Sequence, residues 1–149
     1  MVVNYPNPVS NSKSLNPIDI IRMLIAPAGA FFALFAFILP WASVSVLIIG
    51  ANVAGYQMGM VVWLLPVLYL AIMVASFLPI IIENAWVTRL TVAGLTIFAL
   101  FLVFIRTAIM IFEMFRSQAQ ISFHVGIPIT IFGLIIALAG AALLPSFKK

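Results

Sequence analysis

Arg106 carries the heaviest chemical burden in this sequence. It lies inside the apolar run of residues 102–112 (LVFIRTAIMIF). A guanidinium at the centre of a membrane span costs roughly 2.5–3.5 kcal/mol on insertion scales, and less toward the interface. Glu113 follows seven residues later and Arg116 three beyond that, so a helix would carry all three along nearly one face. Seven residues rise about 10 Å, which places a direct Arg106–Glu113 bond out of easy reach and calls for a water or a second helix. Helical side chains also lean toward the helix N-terminus, so Arg106 is expected to point back toward the core and to need a partner inside the protein. Two roles fit these residue types. One is a structural anchor, with Arg106 snorkelling and held by an ion pair or carbonyl contacts in a polar stripe with Glu113 and Arg116. The other is a site for a lipid phosphate, a partner carboxylate or another anionic ligand.

Other reactive groupings are sparse. The chain has no cysteine, which excludes disulfides, thiolate metal sites, haem thioether attachment and thiol redox relays. His124 is the one histidine and reads as an ordinary hydrogen-bonding residue in a loop, since paired haem ligation and a protein-held metal both need further ligands. Asp19 and Glu83 fall at the ends of apolar runs rather than within them, against a proton-coupled exporter. The reading is therefore non-enzymatic, without catalytic residues, metal or cofactor; an enzyme acting on lipids would need a metal or paired acid and base.

The elements that must position Arg106 follow from composition. With 66% hydrophobic and 7% charged residues among 149, the surface of a water-soluble fold could not be covered, so lipid is the expected solvent. The net charge of +4 is scattered and forms no basic patch, which argues against nucleic acid. Residues 1–16 read as a loose polar tail, residues 17–145 as one transmembrane domain and residues 146–149 as a second short tail. The apolar run after residue 16 is too long for a signal-peptide core and is expected to stay as an anchor.

Four helices are expected, at about 18–39, 60–82, 87–115 and 126–144. Asn16, Pro17 and Asp19 supply a cap, a first-turn proline and a favourable charge for the first. Pro27 should bend it, and Ala26, Ala30 and Ala33 make a small-residue stripe. The third exceeds a minimal crossing and should tilt or project. In the fourth, Gly126, Gly133 and Gly140 recur every seven residues beside Ala137 and Ala141, a close-packing face for this bundle, for a second copy or for another subunit. Alternation in residues 42–56 predicts a β-hairpin, and residues 118–125 alternate in the same way, so the two loops are expected to share a small sheet.

Lys13, Arg22, Arg89, Lys148 and Lys149 cluster near one set of span ends. This predicts both termini in the cytoplasm of a cell-membrane protein and the strand-bearing loops outside. Trp41, Trp63 and Trp86 are expected to anchor the two interfaces, with Trp41 and Trp63 at the outer one.

Pro40-Trp41 followed by Ser-Val-Ser-Val, then Ala54-Gly55-Tyr56-Gln57-Met58-Gly59, then the glycine-rich last helix, resembles small bacterial four-helix membrane proteins without an assigned role. The layout over residues 38–144 is similar to claudin-type bundles, whose first outer loop opens on Trp and forms strands. The cysteine pair of that loop is missing here, so a paracellular-barrier role is not implied. The resemblance implies a fold and no activity.

The sequence thus predicts an all-α, up-and-down bundle of four transmembrane helices with a small extracytoplasmic β element in the loops between helices 1–2 and 3–4. Its expected function is that of an accessory or scaffold subunit, packing through its small-residue faces against other membrane subunits or its own copies. The alternative is a channel, carrier or binder of a hydrophobic or anionic small molecule through Arg106.

Overall fold

The computed structural model describes residues 16–46, 49–57, 59–82, 84–117 and 120–145. Residues 1–15 of the expected first tail, Lys13 among them, Glu83, and the expected last tail, 146–149, with Lys148 and Lys149, lie outside those residues.

Helix α1, Pro17–Ala36, starts as its residues dictate. The Asn16 side-chain oxygen accepts from the Ile18 N–H at 3.2 Å, proline occupies the first turn, and Asp19 sits there opposite Arg22 at 3.8 Å. The helix continues through Pro27 and ends at Ala36, before the expected residue 39. A turn then leads into strand β1, Pro40–Val46, which pairs antiparallel with β2, Ile49–Ala54, and with β3, Gln120–Phe123, in the order β2-β1-β3. Ser43 stands opposite Asn52 on one side and Ser122 on the other, so the two loops do share one sheet.

The second apolar run departs from a single helix over 60–82. A 3-10 turn, Met60–Trp63, leads into α2, Leu64–Ala75, and a second 3-10 turn, Leu78–Ile80, follows. Pro79 fits the break, because proline has no N–H to donate to the Ala75 carbonyl four residues back and its ring crowds that carbonyl. Ser76 closes the end by donating its hydroxyl to the Ile72 carbonyl at 2.7 Å. Helix α3, Ala85–Ser117, is the longest element at 33 residues, and α4, Gly126–Leu143, completes the bundle. By length and composition α1, α3 and α4 can each cross a membrane, whereas the apolar helical stretch Leu64–Ile80 is shorter.

Packing forms a ring: α1 lies against α2 and α4, and α3 lies against the same two. The α1–α4 contact is made by small residues. Ala26, Gly29, Ala30 and Ala33 of α1 are buried against Gly133, Ala137 and Gly140 of α4. A Cβ on Gly133 would lie 2.7 Å from the Gly29 carbonyl oxygen and 2.8 Å from the Ala33 nitrogen, and one on Gly140 would lie 2.7 Å from the Ala26 Cα. Absent side chains let the two backbones approach closely, and many weak dispersion contacts then hold the pair. This face is spent inside the chain and is not open to a partner. Ala141 is also buried.

Buried hydroxyls are mostly satisfied within their own helices. Thr96 donates to Val92 and Thr130 to Gly126, at 2.7 and 2.8 Å, which lets these residues sit in an apolar bundle without an external partner.

Candidate functional site

Trp41 does not anchor an interface. The register of β1 against β2 shifts between Pro40 and Ala42, leaving Trp41 as the extra residue of a bulge, and the indole turns inward, fully buried. Its Nε1–H donates to the Ala36 carbonyl at 2.8 Å, which has no i+4 donor because Pro40 stands there and which also accepts the Leu39 N–H at 3.2 Å. Phe37 meets the ring edge-on at 6.4 Å, and the space that side chains at Gly55 and Gly126 would fill is taken by the indole. Trp41 thus joins the sheet to the bundle end. Trp63 and Trp86 are exposed, at 55% and 66%.

Below the sheet lies the polar pair. Arg106 Nη1 stands 4.0 Å from Glu113 Oε1, so the extended stem covers a gap that helical rise alone makes look too wide. At that distance the contact is charge attraction rather than a hydrogen bond. The Arg106 side chain is 25% exposed and that of Glu113 59%. The Arg106 Nε is buried and finds no acceptor among the described residues. Arg116 is exposed in the last turn of α3.

Arg106 borders two cavities. One, of about 170 Å³, lies between Ala42, Val44, Val53 and Ile121 of the sheet, Gln57, and Arg106, Met110 and Glu113 of α3. The other, of about 200 Å³, opens between the start of the second apolar run and α3. Its walls are Gly59, Met60, Val62, Leu65, Leu102, Ile105 and Ile109, with Arg106 as the one charged residue among the described ones. Arginine can offer five N–H donors in a planar fork, a geometry suited to carboxylate and phosphate oxygens.

Three further contacts were not read from sequence. Arg89, taken as a topology charge, donates through Nε and Nη2 to the Leu144 carbonyl at 3.0 and 2.6 Å, tying the start of α3 to the end of α4. Its charge also suits a helix C-terminus, where partial negative charge collects. The Gln57 side chain accepts from the Ala54 N–H at 2.9 Å and closes the turn after β2. His124 donates its backbone N–H to the Trp41 carbonyl at 2.9 Å, while its Nε2 is buried without a hydrogen-bond partner among the described residues. The one sequence signal for the Arg89 clamp is an arginine near a helix start beside a neighbour ending in Leu144-Pro145 with no capping glycine. No group of His, Cys, Asp and Glu side chains that could hold a metal ion occurs among the described residues.

No protein-family model, curated protein or solved structure matches this chain.

Proposed function

We propose that this protein is a non-catalytic accessory subunit of a cell-membrane assembly, an up-and-down bundle with both termini cytoplasmic and the three-stranded sheet outside. The observation that carries this reading is the length of α3 set against where its exposed aromatics fall. Phe112 and Phe115 are 67% and 75% exposed. They lie 26 and 29 residues beyond the exposed Trp86, about 40 Å along the helix axis. If Trp86 marks the inner interface, a hydrocarbon layer about 30 Å thick ends near Arg106, and both phenylalanines stand beyond it. Even a tilt of about 40° brings them only to the far boundary.

Large apolar side chains outside hydrocarbon are a liability unless protein covers them. The small-residue face of α4 is already occupied by α1, so the surface that takes a partner is the outer end of α3 rather than the glycine stripe. The test is assembly size in a mild detergent, purified from the native membrane. Phe112→Ser with Phe115→Ser should shift the protein from a larger assembly to a single chain while its helical content is unchanged. An unchanged size would remove this reading.

A further inference from the structure

We propose that the cleft beside Arg106 binds the phosphodiester of a membrane lipid, with the guanidinium on the phosphate and an acyl chain in the groove between α3 and the start of the second apolar run. The inference rests on the bilayer reading above but not on the accessory role. Three observations converge on it.

Depth is the first. Arg106 lies 20 residues beyond Trp86, about 30 Å along α3, so its guanidinium stands one hydrocarbon thickness from the inner interface, at the level of outer-leaflet phosphates. The second is unfilled donor capacity at the guanidinium: the side chain is 25% exposed, and its contact with Glu113 is long at 4.0 Å, beyond hydrogen-bond distance. The third is the shape of the space. The cleft of about 200 Å³ is walled by Leu65, Leu102, Ile105 and Ile109, and among the described residues Arg106 is the only charged one that lines it. A soluble anion would gain nothing from such walls, whereas an acyl chain, already in hydrocarbon and so without a hydrophobic drive, gains close dispersion contact along them.

Glu113 does not exclude this ligand. It borders the sheet-side cavity and is not part of the cleft, so a phosphate on the cleft side meets the same guanidinium from another direction. Arg116 adds a second positive charge in the same end of α3. An ion-paired arginine is also cheaper to hold at this depth than a bare one.

Native mass spectrometry of the detergent-purified full chain tests the proposal with three probes: dioleoyl-phosphatidylglycerol, dioleoylglycerol and inorganic phosphate. The wild type should retain the phospholipid under activation that strips dioleoylglycerol, and millimolar inorganic phosphate should not displace it. Arg106→Gln should lower retention by about tenfold, the loss expected for a charged hydrogen bond. Ile105→Trp keeps the charge and fills the cleft from a part-exposed position, so it should lower retention too, and it stands alone if Arg106→Gln fails to fold. Equal retention by both variants, equal retention of dioleoylglycerol, or displacement by phosphate would overturn the site. Monodisperse protein without detergent would instead overturn the bilayer reading.

Discussion

Trp41 occupies the room that a side chain at position 126 would need: a Cβ on Gly126 would lie 2.8 Å from the indole Nε1 and 2.8 Å from the Pro40 carbonyl oxygen. Here the sheet meets the bundle through a contact between a bulged residue and a helix-opening glycine.

Gly126→Val should therefore destabilise the protein by about 1–3 kcal/mol, the range for forcing extra methyl groups into packed space. Trp41→Ala should cost about 3–5 kcal/mol by emptying the same space. Thermal unfolding in detergent, followed by circular dichroism, measures both. A Gly126→Val protein as stable as the wild type would show that the sheet can lift away freely.

Two glycines in the helices should respond in opposite directions. Gly133 faces the Gly29 carbonyl with no room for a Cβ, so Gly133→Ala should lower stability. Gly94 in α3 is exposed and opens on empty space, so Gly94→Ala should raise stability by about 0.5–1 kcal/mol through helix propensity alone. The same unfolding assay reads the contrast, and equal effects would deny that the α1–α4 contact is closer than the rest.

Arg89→Gln should free the end of α4. Losing a charged donor pair to the Leu144 carbonyl costs about 1.5–3 kcal/mol, and Arg89→Lys should recover part of it because lysine carries the charge without the fork. Hydrogen exchange in the last turn of α4 should rise in the glutamine variant and less in the lysine one. Uniform protection in all three would mean that the clamp adds nothing.

The Tyr69 side chain is fully buried, and its hydroxyl finds no hydrogen-bond partner among the described residues. Tyr69→Phe removes an unsatisfied polar group at almost constant volume, so stability should hold or rise by up to about 1 kcal/mol. A clear loss would reveal an acceptor for that hydroxyl.

Because the chain has no cysteine, single cysteines report sidedness directly. Ala51→Cys in β2 and Ser122→Cys in β3 are exposed positions on the one sheet. Both should react with an impermeant maleimide on intact cells. Labelling of either only after lysis would reverse the topology.

Much of this was legible in advance where one stretch of chain decides the outcome by itself. Hydropathy marked the apolar runs, Asn16 and Pro17 marked the start of α1, and period-two alternation marked strands in both loops. The Arg106–Glu113 contact was half legible: the shared face was plain, but reach along the axis was judged from helical rise and not from the length of the arginine stem. Trp41 was misplaced because an aromatic beside a span end reads as an interface anchor, and only pairing with β2 reveals the bulge that turns it inward.

What sequence determined alone was the apolar character and period of each segment, since these depend on residues three or four positions apart. Tertiary structure decided which surfaces are consumed and which stay open. It placed the glycines of α4 against α1, carried Arg89 to a carbonyl 55 residues away and left Arg106 between two cavities. Those outcomes depend on close approach between segments distant in sequence, and a backbone approach too close for a Cβ leaves no trace in local composition beyond the smallness of the residues that permit it.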